Sequence, residues 1–301
     1  MKKDFLTLWD IAPDEIDRLM ERALEMKSGR GPAVFPLAGR SIGLLFEKPS
    51  TRTRVSFEVG VYQLGGQTVT LNPAELQLGR GETTADTART LSRYLSAVVI
   101  RTAAHDRLEA FARHASIPVI NGLSDKHHPC QALADLMTIR EKKGRLKGLK
   151  VAFVGDGNNV CNSLVEAASR MQFNLAVACP EGFDPDLETL IRAKAASQSV
   201  IEVMRNPHEA VAMADVIYTD VWVSMGQEQS AEEKKGKFSD YQINSNLLSG
   251  AQNDVTVLHC LPAHRGEEIT DDVIDGPNSA VFDQAENRLH AQKALLEMIV
   301  T

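Results

Sequence analysis

Phe46-Glu47-Lys48-Pro49-Ser50-Thr51-Arg52-Thr53-Arg54 is the stretch on which the reading of this chain turns. Ahead of it, Ile42-Gly43-Leu44-Leu45-Phe46 is a short apolar run suited to a buried strand. Behind it, Val55-Ser56-Phe57-Glu58-Val59 opens a helical pattern. A strand, a turn and a helix start in that order gather free backbone N–H groups at one point, where the helix dipole is positive and anions are favoured. Ser50, Thr51 and Thr53 add hydroxyl donors, and Arg52 and Arg54 add guanidinium forks that match phosphate or carboxylate oxygens. The stretch reads as a phosphate cradle. The same residues also suit an ordinary helix capped by Ser50 or Thr51 and flanked by two solvated arginines, so the rest of the chain must decide.

With 301 residues the chain is long enough for two domains, each with its own core. A hydrophobic fraction of 43% and a charged fraction of 24% are those of a soluble globular protein, and no apolar run approaches a membrane span. The formal net charge of −7 argues against nucleic acid or an anionic membrane as the main partner, so a basic site must be local. Met1-Lys2-Lys3-Asp4-Phe5 leads into no signal-like segment, and a cytoplasmic location is expected. Cys130, Cys161, Cys179 and Cys260 are scattered without a CxxC pair, which predicts free thiols.

Working outward from the cradle, a helix from Pro13 to about Lys27 carries Ile16, Leu19, Met20, Ala23 and Leu24 on one face. After the cradle, helical and short apolar segments alternate, with strands near Thr68–Leu71, Ala97–Ile100 and Pro118–Ile120. Such alternation predicts α/β architecture with a mostly parallel sheet covered on both faces. Gln77 sits in a long polar loop, where a solvated amide is the commoner role. Arg101 ends a strand, the place where ligands bind in open α/β sheets, although a surface arginine is also common there. His127-His128-Pro129-Cys130-Gln131 precedes a helix. Its two histidines and cysteine lack the second cluster that a zinc site needs, so no metal is expected; His128 as a donor and Gln131 as an amide reader suit a polar substrate better.

Lys142-Lys143-Gly144-Arg145-Leu146-Lys147-Gly148 breaks the periodicity and marks a boundary, giving domains of 1–147 and 148–283 with a final helix from about 284 to 301. Beyond it, Val151-Ala152-Phe153-Val154-Gly155-Asp156-Gly157-Asn158-Asn159-Val160 resembles the start of a dinucleotide site, but Val160 stands where the third glycine of the fingerprint belongs. Asn158 and Asn159 can bond a carboxylate there or cap the next helix. Further strands near Leu175–Ala178, Val200–Val203, Asp215–Thr219 and Val255–Leu258 continue the alternation. Asp220-Val221-Trp222-Val223-Ser224-Met225-Gly226 offers a carboxylate at a strand end, fit to hold an ammonium group. The charge run Glu232 to Lys237 reads as a solvated face, and the last strand delivers His259-Cys260-Leu261-Pro262.

Taken in order, Ser50-Thr51-Arg52-Thr53-Arg54, His128-Pro129-Cys130-Gln131, Asp220 through Gly226 and His259-Cys260-Leu261-Pro262 closely resemble the carbamoyltransferases, in particular the ornithine branch of the family, over essentially the whole chain. The resemblance implies two Rossmann-like domains with parallel sheets, joined by interdomain helices, the C-terminal one packing back on the first domain. It implies a homotrimer with sites between subunits and no cofactor. It further implies that Ser50, Thr51, Arg52, Thr53, Arg101, His128, Pro129, Cys130, Gln131, Cys260, Leu261 and Arg288 bind carbamoyl phosphate, with Gln77 supplied by a neighbouring chain. Asn159, Asp220, Ser224 and Met225 would hold ornithine, and Arg52, Arg101, His128 and Cys260 would act in catalysis. The reaction so implied gives citrulline and phosphate, in arginine biosynthesis rather than catabolism. Aspartate, putrescine or an acylated ornithine are the alternative acceptors. A dinucleotide oxidoreductase built on the Gly155 turn and a noncatalytic phosphate-binding relative are the readings from other classes.

Overall fold

The apolar run before the cradle forms β1 (Ser41–Phe46), the second strand from one edge of a four-stranded parallel sheet. The computed structural model describes residues 3–29, 35–77, 81–223 and 231–300. Clustering of the chain gives two compact units, Met1–Met137 with Glu286–Thr301, and Thr138–Ala285.

In the first unit α1 (Pro13–Ser28) precedes β1 and buries Ile16, Leu19, Met20 and Ala23. Then come α2 (Thr51–Gln63), β2 (Gln67–Leu71), α3 (Thr84–Leu91), β3 (Ala97–Arg101), α4 (His105–His114), β4 (Val119–Leu123) and α5 (Pro129–Lys143). The strand order is β2-β1-β3-β4. β3 is buried at every residue, as expected of a parallel strand covered on both faces. α3 starts at Thr84, where the Thr83 hydroxyl caps it by accepting from the Asp86 N–H at 3.1 Å.

The second unit continues with β5 (Lys150–Val154), α6 (Asn159–Met171), β6 (Asn174–Ala178), α7 (Leu187–Ala196), β7 (Ile201–Met204), α8 (Pro207–Val211) and β8 (Val216–Thr219). It closes with α9 (Ala231–Phe238), α10 (Ser245–Leu248), β9 (Thr256–His259), α11 (Asp271–Ile274) and α12 (Val281–Val300). Its sheet is also parallel, in the order β7-β6-β5-β8-β9. Two α/β parallel sheets are thus present, the fold class expected from the sequence. The residues on either side of the unit boundaries lie within α5 and α12.

One expectation fails in an instructive way. The charge run Glu232 to Lys237 is not a uniformly solvated face: it lies in α9, and Lys234 is buried with its ammonium 2.7 Å from Asp156 Oδ2 and 3.2 Å from the Trp222 carbonyl. Phe238, at the end of the same helix, is fully buried against the rings of Phe183, Trp222 and Tyr241.

Candidate active site

Both sheets have a switch point, a place where the chain leaves one strand and its next neighbour lies on the other side. In the first unit that place is between β1 and β3. Their register pairs Phe46 with Arg101, so the loop after β1 and the end of β3 are adjacent. The Glu47 N–H donates to the Arg101 carbonyl at 2.9 Å, and the Glu47 carboxylate accepts from Thr102 Oγ1 at 2.6 Å and Arg107 at 2.8 Å. This tie fixes where the cradle begins. Ser50 is the N-cap of α2 with extended backbone, and its hydroxyl makes no capping bond. Thr51, Arg52 and Thr53 fill the first turn, where N–H groups have no intrahelical partner.

β4 lies beside β3 and leads to His128 through a tight polar turn. Ser124 Oγ accepts from the His127 N–H at 3.1 Å, His105 Nδ1 lies 2.8 Å from the same oxygen, and the Ser124 N–H donates to the His127 carbonyl at 2.9 Å. His128 is buried. Burial, and then the charges of Arg288, Arg101 and Arg52, hold its pKa well below the ordinary value, so it is neutral and available as a hydrogen-bond donor rather than a cation. Cys130 behaves differently from a substrate-facing thiol: it is fully buried, its Sγ lies 3.3 Å from the Asn121 carbonyl, and burial pushes its pKa up to about 12.

Arg288, 2% exposed on α12, reaches both the cradle and α5. It donates to Gln131 Oε1 at 2.7 Å and to Thr53 Oγ1 at 3.0 Å, and its Nε donates to Gln292 Oε1 at 3.0 Å. Ser50, Thr51, Arg52, Thr53, Arg101, His128, Pro129, Gln131 and Arg288 therefore all belong to one unit and converge on the carboxyl edge of its sheet and the turns after it. Gln77 is exposed in the loop after β2.

In the second unit the switch point lies between β5 and β8. Asp220 follows β8, and its carboxylate accepts from Asn158 Nδ2 at 2.8 Å and from Cys260 Sγ at 2.8 Å. Asn158 also caps α6, its Oδ1 accepting from the Val160 and Cys161 N–H groups. Of the two asparagines, Asn158 is the cap and Asn159 the first helical residue. Burial raises the pKa of Asp156, against the lowering effect of the Lys234 ammonium. Sequence reasoning missed Asp156 and Lys234; an Asp beside a glycine turn and a Lys in a charge run carry no local mark of pairing across 78 positions. Ser224 and Met225 lie outside the described residues.

β9 supplies the remaining group. His259 Nδ1 accepts from the Leu261 N–H at 2.9 Å, and its Nε2 donates to Glu268 Oε1 at 3.0 Å, both side chains fully buried. Leu261 has φ +56, in the left-handed region that disfavours a branched side chain, and the 261–262 peptide is cis. Asp220, His259 and Cys260 offer ligand atoms within 4.8 Å of one another, but both ring nitrogens of His259 are engaged, so a metal ion there would have to displace one of those bonds.

The geometry removes the dinucleotide reading. A Cβ built on Gly157 would lie 2.3 Å from the Pro185 nitrogen, and the Gly157 N–H already donates to the Phe183 carbonyl at 2.9 Å. The segment 183–185 thus packs on the turn where a pyrophosphate would need open backbone.

Comparison with known proteins agrees in both halves. The family description "Aspartate/ornithine carbamoyltransferase, carbamoyl-P binding domain" matches residues 3–141, and "Aspartate/ornithine carbamoyltransferase, Asp/Orn binding domain" matches 147–299. A protein named ornithine carbamoyltransferase from Syntrophus aciditrophicus is 55% identical, with 100% of each chain covered. One named ornithine carbamoyltransferase, anabolic, from Pseudomonas aeruginosa is 52% identical over 99% of this chain and 97% of its own. The solved structure of ornithine carbamoyltransferase from Pyrococcus furiosus superposes with a TM-score of 0.95 at 52% identity, covering 99% of this chain and 97% of that one.

Proposed function

The chain belongs to the aspartate/ornithine carbamoyltransferase family, and from that premise we propose that it transfers the carbamoyl group of carbamoyl phosphate to L-ornithine, giving L-citrulline and phosphate. The observation that carries the residue assignment is the grouping of Arg52, Arg101 and Arg288 around a neutral, buried His128 at one sheet edge. The α2 N-terminus with Ser50, Thr51, Arg52 and Thr53 holds the phosphate. Pro129 and Cys130 at the start of α5, the Cys260-Leu261 bend, Gln131 and Arg288 complete the carbamoyl phosphate contacts. Cys130 contributes through its backbone, since its thiol is turned to Asn121.

As the ornithine amine attacks the carbonyl carbon, negative charge grows on the carbonyl oxygen and the phosphate departs. Arg52, Arg101 and the N–H of His128 are donors for that oxygen, and each such donor is worth about 10² to 10³ in rate. The attacking amine must be neutral; an unperturbed alkylamine titrates at about 10.4, and desolvation beside arginines lowers this. His128 is too weak a base to take the proton for long. Asp220, already held by Asn158 and Cys260, keeps acceptor positions for the α-ammonium of ornithine, beside Asn159, Ser224 and Met225. Cys260 orients the amine.

On the family's pattern the enzyme works as a homotrimer, Gln77 of one copy serving the cradle of the next, in the cytoplasm and in the biosynthetic direction; sedimentation equilibrium giving a monomer would reject the trimer. The Pseudomonas relative's name supports that direction. Among the described residues no helix is long and apolar enough to cross a membrane.

The test is a ureido-product and phosphate-release assay with carbamoyl phosphate and, in turn, ornithine, N-acetylornithine, putrescine and aspartate. Turnover with ornithine alone is expected. Turnover with a different amine would keep the reaction and reject the Asp220 assignment.

A further inference from the structure

The acceptor half of the site holds two carboxylates. Asp156 lies in the turn after β5 and Asp220 directly after β8, the strand paired with β5, so both sit at the switch point of the second sheet. Their surroundings differ. Asp220 receives its side-chain hydrogen bonds from two neutral donors, Asn158 Nδ2 at 2.8 Å and the Cys260 thiol at 2.8 Å. Asp156 faces the Lys234 ammonium at 2.7 Å, and the two side chains of that pair are only 12% and 11% exposed. The same ammonium lies 3.2 Å from the Trp222 carbonyl, two residues beyond Asp220, and 5.2 Å from the centre of the Phe183 ring. Burial raises the pKa of Asp156, Lys234 lowers it and the charge of Asp220 raises it, so the three groups act on one another.

Two carboxylates and one ammonium leave a single net negative charge at this switch point. Ornithine brings an α-ammonium and an α-carboxylate to it, whereas a plain amine brings an ammonium alone. A second net negative charge would still draw in the ammonium but would repel the carboxylate attached to it. Resting on the reading above that Asp220 holds the α-ammonium, we infer that Lys234 is a specificity-determining residue of the acceptor site: by cancelling Asp156 it leaves Asp220 as the one uncompensated charge of the three, and so favours an α-amino acid over an amine without a carboxylate. Specificity here is a difference between two affinities, set by charge repulsion against the wrong balance. The effect needs no contact between Lys234 and the substrate.

Two mimics of the acceptor separate charge from structure: L-norvaline, which is ornithine without its δ-amine, and n-butylamine, which lacks the carboxylate as well. Their dissociation constants are measured by calorimetry with the enzyme saturated by phosphonoacetamide, an unreactive stand-in for carbamoyl phosphate. The proteins are the wild type, Lys234→Met, Asp156→Asn, the double variant and Asp220→Asn. Lys234→Met is expected to lower the preference for norvaline over butylamine about tenfold, the order of one charge–charge interaction in a partly hydrated site. Asp156→Asn removes a negative charge and shifts the preference the opposite way. The double variant restores the single net charge and returns the preference to within about twofold of the wild type. If Lys234→Met does not fold, the opposite shift in Asp156→Asn and its reversal in the double variant carry the test. Equal weakening of both mimics in Lys234→Met without recovery in the double variant would make Lys234 structural and overturn the inference, as would an unaltered preference in Asp156→Asn. Asp220→Asn weakens both mimics if Asp220 holds the ammonium. That loss, with preferences unaltered in the Lys234 and Asp156 variants, overturns the inference and leaves the Asp220 reading standing; no loss in Asp220→Asn overturns both.

Discussion

At the scale of single residues, the acceptor side of the site turns on Cys260. Its thiol donates to Asp220 at 2.8 Å, so its first effect is on a carboxylate that we assign to ornithine, not on the phosphate cradle. Cys260→Ala is therefore expected to lower kcat/KM for ornithine about tenfold, the size of one lost hydrogen bond to a charged group, and to leave the dissociation constant of inorganic phosphate unchanged. Steady-state kinetics with phosphate-inhibition constants check this; unchanged ornithine kinetics would remove Cys260 from the acceptor site. Residue identity was the most legible level of the sequence. The hydroxyls and arginines of the cradle, and Arg101 at its strand end, occupy the places that strand-turn-helix reasoning assigns them. The partners were not legible: nothing in the spacing says that Arg288 meets Gln131, 157 positions away, or that Asn158 rather than Asn159 caps α6. Adjacent asparagines at a helix start are chemically equivalent until the backbone selects one.

At the scale of elements, α9 shows how a charge pattern misleads. Of its lysines, Lys235 pairs with Glu267 at an exposed site, whereas Lys234 is buried and paired with an equally sequestered Asp156. Breaking a buried pair from one side leaves an uncompensated charge and costs about 3–5 kcal/mol, whereas replacing both partners by neutral groups costs much less. Lys234→Met is expected to lower stability by about that amount, and Lys234→Met with Asp156→Asn to recover most of it. Urea unfolding of the four proteins in the cycle measures this; additive losses would show that the pair contributes nothing to holding α9. Strands were easier to read than this helix because buried parallel strands are apolar at nearly every position, as β3 and β5 are, and need no partner to be recognised. A helix with one buried lysine among exposed ones has no such signature.

At the scale of the whole molecule, three buried histidines contribute to the response just below neutral pH. Burial holds His105, His128 and His290 below their ordinary value of 6.5. As pH falls below that value the unfolded chain takes up protons that the folded chain refuses, so unfolding becomes easier, by at most about 1.4 kcal/mol per pH unit for each histidine. From about one pH unit above that value neither state holds these protons and the effect vanishes. The urea midpoint is expected to fall between pH 7 and 5.5, and to fall less in His290→Asn, which lies outside the assigned site; an unaltered slope in that variant would acquit His290. The α/β class and the parallel sheets were legible at this scale from the alternation of apolar runs and helical segments. The division of the chain also has a consequence for biogenesis. The first unit contains residues 286–300, made after the whole of the second unit. Synthesis proceeds at about 5–20 residues per second and domains fold as units when their chain is available. The unit begun first on the ribosome is thus the one completed last, and until Arg288 emerges Gln131 and Thr53 wait for the guanidinium that orders them. A nascent chain cut short anywhere in α12 before residue 288 would carry every cradle residue of α2 and still lack the donor that sets their polarity.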